Sequence, residues 1–219
     1  MPNSIAIAIF VKTPEFSPVK TRLAASIGKD AAIQVYEYCL KIVEEKVLKL
    51  QAKLAPQIEL TPYWAIAETE SLNSARWANL SRMNQGDNPQ LGKKLDHVYT
   101  TLKATHEVVA VMGSDSPFFD LDEVCDGVQW LLNNKNAACI GPTEDGGYYF
   151  FASNASLPEK CWTDVTYSEN TTREEFLSGL PEKLKVKNLE LHWDIDNIED
   201  LNRAAEHDTR FTIESLRQS

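Results

Sequence analysis

The 219-residue sequence predicts an α/β sandwich in which helices cover a mostly parallel sheet. Two observations carry that expectation. Val108–Met112 is an uninterrupted run of five apolar, mostly β-branched residues, the pattern of a short strand buried on both faces. Strand-like runs also alternate with segments of helical period along most of the chain, as in folds built from crossover connections.

Each element follows in order. Ile5–Val11 is a first buried strand, and it opens into a loop, Lys12–Leu23, with two prolines and three cations. Ile33, Tyr36, Leu40, Val43, Val47 and Leu50 recur at helical spacing and predict a long helix over 29–51, closed by Pro56. Residues 58–65 form a weaker strand, and Pro62 within it favours a sheet edge. A short helix is expected over 68–80, then a polar loop, Asn84–Gln90, then a helix over 91–103. The central strand 108–112 precedes a helix over 121–132. Two short strands follow, 137–140 and 148–152, close enough in sequence to run antiparallel or to form an edge. A helix over 171–178, a strand over 185–189 and a last helix over 198–207 complete the pattern, as one domain spanning 1–219.

Composition narrows the function. Thirty-two acidic against 22 basic residues give a net charge of −10, which argues against a general nucleic-acid binder, since that would need a basic face to displace counterions. A local cation cluster on such a chain is still compatible with a small phosphorylated ligand. Met1-Pro2-Asn3-Ser4 carries no signal-peptide pattern, and no apolar run approaches the roughly 20 residues of a membrane span. Cys39, Cys125, Cys139 and Cys161 lack metal-site or disulfide-scaffold spacing. A cytoplasmic location is expected.

Three stretches could carry chemistry. Ligands of open α/β sheets bind beyond the carboxyl ends of the strands. There the first strand delivers Lys12, Lys20 and Arg22, cations suited to phosphate oxygens, although the glycines of a Walker loop are absent. The central strand delivers Gly113-Ser114-Asp115-Ser116-Pro117, where Asp115 could ligate Mg²⁺ or Mn²⁺ or could simply cap the next helix. A third strand end delivers Glu144, Asp145, Gly146 and Gly147, either a tight hairpin or a ligand loop with a carboxylate base. Asp194 and Asp196 alternate along an extended segment, so both could approach the cation of Asp115; equally, Asp196 or Asn197 could cap the last helix. Trp162, Tyr167 and Trp193 could stack on a base or sugar, and His192 lacks metal-motif context.

Taken together, these motifs resemble the DUF2064 family of GT-A-type transferases, known as arsenosugar-biosynthesis-type or radical-SAM/selenodomain-associated glycosyltransferases. The resemblance rests on Lys12-x-Pro14…Lys20-Thr21-Arg22-Leu23, Gly86…Leu91-Gly92, Gly113-Ser114-Asp115-Ser116-Pro117, Gly141-Pro142…Glu144-Asp145-Gly146-Gly147-Tyr148 and Asp194-Ile195-Asp196. It implies a Rossmann-like GT-A sandwich and a nucleotide-diphospho-sugar or nucleoside triphosphate ligand. Ser114-Asp115-Ser116 stands in place of the Asp-x-Asp metal motif, with Asp194 or Asp196 as a second ligand to Mg²⁺ or Mn²⁺. Lys12, Lys20, Thr21, Arg22, Gly92, Gly146 and Gly147 are the expected nucleotide contacts. Asp115, Glu144 and Asp145 are the expected catalytic groups, acting on a small-molecule acceptor. Glycosyl transfer is the first expectation. Nucleotidyl transfer to a phosphorylated acceptor is the second, and non-catalytic nucleotide binding is the third.

Overall fold

The computed structural model describes residues 3–55 and 57–217; Pro56 and the N-terminal Met1 and Pro2 lie outside them. Among the described residues one seven-stranded sheet forms the middle layer. In chain order the elements are β1 (Asn3–Val11), α1 (Thr21–Ile27), α2 (Lys29–Leu54), β2 (Ile58–Ile66), β3 (Ser81–Asn84), α3 (Leu91–Lys103), β4 (Val108–Met112) and α4 (Leu121–Asn133). They continue with β5 (Ala137–Pro142), β6 (Tyr148–Ser153), α5 (Lys160–Thr163), α6 (Thr172–Gly179), β7 (Lys185–Asn188), α7 (Ile198–His207) and α8 (Ile213–Arg217). Spatial order is β3-β2-β1-β4-β6-β5-β7, with β6 alone antiparallel to its neighbours. This is the expected α/β sandwich.

Strand period 2 explains the layers. Ile5, Ile7, Ile9 and Val11 of β1 pack with Leu40, Val43 and Val47 of α2 and with Val124 and Val128 of α4. The intervening Ala6 and Ala8 face Leu95 and Tyr99 of α3, Trp162 of α5 and Phe176 of α6. Small residues on that face of β1 leave room for large aromatics, and Tyr99, Phe151, Trp162 and Phe176 fill it with tilted and edge-on ring contacts. A third cluster ties α1 and α2 to α7, α8 and Phe211.

Two expectations are corrected. Residues 68–80 form two short 3-10 turns, Thr69–Ser71 and Ala75–Trp77, rather than a helix. Ser74 breaks the pattern there, its side chain accepting from the Arg76 N–H as a cap does. Pro62 does not mark an edge, because the polar strand β3 lies outside β2. β3 pairs only from Tyr63 onward, so the flank of Pro62 away from β1 has no partner strand and its missing N–H leaves no gap in the ladder. Likewise β6 lies between β4 and β5 and is antiparallel without being an edge.

Turns and caps set the strand ends. Asp120 caps α4, accepting from the Asp122 and Glu123 N–H groups, and Asn197 with Asp200 forms a capping box on α7. Asp115 and Asp196 are thus left out of helix capping. No helix among the described residues is long and apolar enough to cross a membrane.

Candidate active site

The site lies where β1, β4 and β5 end, at the edge of the sheet where ligands of open α/β folds bind. Two clefts meet there. The first, about 240 Å³, is lined by Lys12, Lys20 and Thr21, with Val19, Tyr36 and Gln85 beside them. The second, about 280 Å³, is lined by Asp115, Asp145, Asp194 and Glu169 together with Tyr148 and Tyr167. Asp115, Phe10 and Leu91 line both clefts, so together they reach the scale of a small-molecule site.

The cationic side is built on the loop after β1. The Lys12 N–H donates to the Tyr36 hydroxyl at 2.9 Å, and that hydroxyl donates to the Lys12 carbonyl at 2.8 Å, pinning the strand end to α2. Gln85 bridges the ends of β1 and β2, its amide N–H group donating to the Val11 and Ala65 carbonyls. The chain then turns at Lys20, which sits in the left-handed region (φ 48°) and opens α1. Such a conformation costs a non-glycine residue about 1–3 kcal/mol and persists where the surroundings fix it. Here they do. The Lys20 ammonium is buried, 2.8 Å from Asp115 Oδ1 and 3.4 Å from Asp196 Oδ1. Burial pulls the Lys20 pKa down, but the charges of Asp115 and Asp196 and the hydrogen bond to Asp115 outweigh it and raise it overall. Arg22, in the first turn of α1, is mostly exposed and lies 3.8 Å from Asp196.

The acidic side depends on the segment after β7. Thr143 pairs with His192, the Glu144 N–H donates to the His192 carbonyl, and the Ile195 N–H donates to the Asp115 carbonyl. That extension of the sheet carries Asp194 to the end of β4, where Ser116 Oγ donates to it. Asp194 is half-buried, and its partial burial first, then the charges of Asp115 and Asp145, push its pKa up to about 7. Asp145 accepts from Thr143 Oγ1 at 2.6 Å and from the Gly147 N–H at 3.0 Å. These bonds hold its carboxylate at the cleft wall.

The expected residues therefore separate. Asp115, Asp145, Asp194 and Gly147 line the acidic cleft, and Lys12, Lys20, Thr21 and Asp115 line the cationic one. Glu144 lies outside both, in an ion pair where Arg203 Nη1 donates to its two carboxylate oxygens at 2.9 and 3.0 Å. Gly92 and Gly146 serve packing: a Cβ on Gly92 would fall 2.3 Å from the Trp162 carbonyl oxygen, and one on Gly146 (φ +90°) 2.0 Å from that of Asn170. Trp162 is core, and Trp193 stacks on Phe118 beneath Arg203, leaving Tyr167 as the one expected aromatic at the cleft. Sequence reading missed Tyr36, whose helical spacing marks it only as core, and the bonds of Gln85 to Val11 and Ala65 and of Ser116 to Asp194, which join positions distant in sequence. It also missed Glu169, whose bonds are to nearby Thr172 and whose place at the cleft comes from the fold.

Asp115, Asp194 and Asp196 do not gather as three ligands, because the Asp196 carboxylate turns to Lys20 and Arg22. Among the described residues a group with ligand atoms within 4.8 Å of one another is Glu123, Glu190 and His192, outside both clefts. Asp115 and Asp194 nevertheless fit a hard divalent cation. They are oxygen donors on one cleft wall, and a half-buried carboxylate repelled by two others is the environment that a cation relieves.

Comparison with known proteins agrees with the architecture. A protein from Desulfovibrio desulfuricans G20 carrying the provisional name nucleotide-diphospho-sugar transferase superposes with a TM-score of 0.78 at 22% identity, covering 98% of this chain and 94% of that one. 4-Diphosphocytidyl-2C-methyl-D-erythritol synthase from Anaerococcus prevotii DSM 20548 gives 0.54 at 14% identity, covering 95% and 97%. Mannosyl-3-phosphoglycerate synthase from Rubrobacter xylanophilus gives 0.52 at 11% identity, covering 99% and 75%. At these identities the likeness establishes the fold, that of nucleotide-diphospho-sugar transferases and nucleotidyltransferases. No curated protein matches the sequence. Residues 47–169, more than half of the chain, match the family described as "Uncharacterized protein conserved in bacteria (DUF2064)", and the chain belongs to that family.

Proposed function

We propose that this protein is a divalent-metal-dependent glycosyltransferase acting as one domain, with a nucleotide-diphospho-sugar donor and a small-molecule acceptor. The observation that carries the reading is the meeting of a cation-lined cleft and a carboxylate-lined cleft at Asp115. The fold shared with nucleotide-binding transferases supports it. In this reading the nucleotide lies along Phe10, Val19 and Tyr36, and its diphosphate meets Lys12, Lys20 and the Thr21 hydroxyl. The Lys20 ammonium has three donors and directs two at the carboxylates of Asp115 and Asp196, leaving one for a phosphate oxygen.

Asp115 and Asp194 would hold Mg²⁺ or Mn²⁺, which when bound supplies Lewis-acid neutralisation of charge on the leaving diphosphate. Lys20 fixes the orientation of Asp115 and adds a buried positive charge beside that diphosphate. Asp145, held by Thr143 and Gly147, accepts the proton of the acceptor as its oxygen attacks the anomeric carbon. The bond from that carbon to the diphosphate breaks, and its electron pair leaves on the phosphate oxygen. Four cysteines, all buried and free, support a reducing, cytoplasmic setting.

The test is release of nucleoside diphosphate from a panel of nucleotide sugars with Mn²⁺ or Mg²⁺, alongside metal-dependent thermal stabilisation by each donor. Release and stabilisation lost in Asp115→Asn support the proposal. Pyrophosphate release from a nucleoside triphosphate would favour nucleotidyl transfer instead. Stabilisation by nucleotide without turnover, unchanged in Asp115→Asn, would favour a binding protein.

A further inference from the structure

We infer that the acidic cleft selects an acceptor that carries hydroxyl or amine groups and neither phosphate nor carboxylate. The inference deepens the transferase reading and rests on it. Four carboxylates line this cleft, those of Asp115, Asp145, Glu169 and Asp194. Among the described residues no Lys, Arg or His lines it. The buried cation of the site, Lys20, lines the neighbouring cleft and is engaged by Asp115 and Asp196. Binding of a divalent cation by Asp115 and Asp194 would still leave Asp145 and Glu169 facing the ligand. Among the described residues the hydrogen-bond donors to Asp145 are neutral, Thr143 Oγ1 and the Gly147 N–H.

An anionic acceptor would bring a second negative charge against these groups without an Arg or Lys to receive it. Like-charge juxtaposition of this kind is a common way in which sites reject a ligand. Hydroxyl and ammonium groups, by contrast, are donors, and carboxylates are acceptors only. The rings of Tyr148 and Tyr167 on the same cleft offer a face to C–H groups or to a cation. Tyr148 is braced for that role by stacking on Phe176, at 5.1 Å between centroids. In the transfer step a lone pair of the acceptor's hydroxyl oxygen, or of an amine nitrogen in its neutral form, attacks the anomeric carbon. Its proton goes to Asp145, and the nucleoside diphosphate departs with the pair of the broken C–O bond.

Matched acceptor pairs test the inference. The protein, saturated with Mn²⁺ and the nucleoside diphosphate that stabilises it, is titrated calorimetrically with glucose, glucosamine and glucose 6-phosphate, and with glycerol and glycerol 3-phosphate. Binding of an unphosphorylated member at least tenfold tighter than its phosphate ester is expected, with glucose against glucosamine separating a neutral from a cationic preference. Glu169→Lys is expected to narrow or reverse the ratio; Glu169 is exposed, so that change leaves the fold intact. Equal or tighter binding of the phosphate esters, or no binding of any acceptor while the nucleotide binds, overturns the inference. Failure of every nucleoside diphosphate to bind overturns the transferase reading itself.

Discussion

Lys20 Nζ lies 2.8 Å from Asp115 and 3.4 Å from Asp196, so one buried ammonium joins the end of β4 to the approach of α7. The contact with Asp196 spans 176 positions of sequence. Removing the ammonium leaves Asp115 without its cation and Asp196 with only the exposed Arg22, 3.8 Å away. Breaking a fully buried pair costs about 3–5 kcal/mol; Asp115 is 45% exposed, so the loss here is nearer ~2 kcal/mol. Lys20→Met is expected to lower stability by that order and to abolish nucleotide stabilisation. In a double-mutant cycle with Asp115→Asn, measured by urea unfolding, the two changes should cost less together than their sum. Additive costs would show that the ion pair couples nothing.

Asp194 makes the metal-free protein less stable as pH rises. Its folded pKa of about 7 lies above its ordinary value of 3.8, so between pH ~4 and ~7 the folded state binds the extra proton. Stability from this group is therefore complete below pH ~4 and is lost as pH rises through ~7. The rise from 3.8 to about 7 sets a scale of roughly 4 kcal/mol at most. Asp194→Asn is expected to flatten the dependence in EDTA, and to weaken cation binding measured by calorimetry. A wild-type profile of stability that stays level from pH 4 to 8 would contradict the assignment.

Gly92 shows how a motif can be legible while its purpose is not. The sequence motif suggested a nucleotide contact, but α3 crosses α5 so closely at this point that a Cβ would meet the Trp162 carbonyl at 2.3 Å. That contact is with backbone, which cannot swing aside. Gly92→Ala is expected to lower the melting temperature by several degrees, since ~1 kcal/mol already shifts it by about 2–4 °C in a protein of this size. The nucleotide affinity of the folded fraction should be unchanged. A selective loss of affinity at unchanged melting temperature would restore the nucleotide role.

Local pattern carried the sheet into view, and distance in sequence hid the rest. β1 and β4 are continuous apolar runs because helices cover both faces, and that is visible without a partner. β3, Ser-Arg-Met-Asn, is an outermost strand with two exposed residues, so it has no apolar signature. α1 was concealed in a loop with two prolines. Asp115, Asp145 and Lys20 were singled out because each follows a strand or sits in a charged loop. The sorting of Asp194 from Asp196 depends on Ser116 and Lys20, which spacing alone does not connect.

Glu144 and Asp145 are neighbours of the same chemistry with opposite expected consequences. The Glu144 carboxylate points to Arg203 on α7, about half exposed, and stays outside both clefts. Such surface pairs contribute about 0–1 kcal/mol. Glu144→Gln is expected to change stability by less than ~1 kcal/mol. It should also leave the rate of nucleoside diphosphate release within about twofold, equivalent to under half a kcal/mol of barrier. Asp145 lines the acidic cleft and is the base of the proposed transfer, a role typically worth 10²–10⁴-fold in rate. Asp145→Asn keeps an oxygen that can accept from Thr143 and Gly147, so the loop should hold its shape while release slows by about 100-fold or more. The two variants, assayed side by side with one donor and one acceptor, separate a charge that reaches the reacting atoms from one that braces a helix. Equal losses in both would mean that the loop as a whole, and not the Asp145 carboxylate, sets the rate.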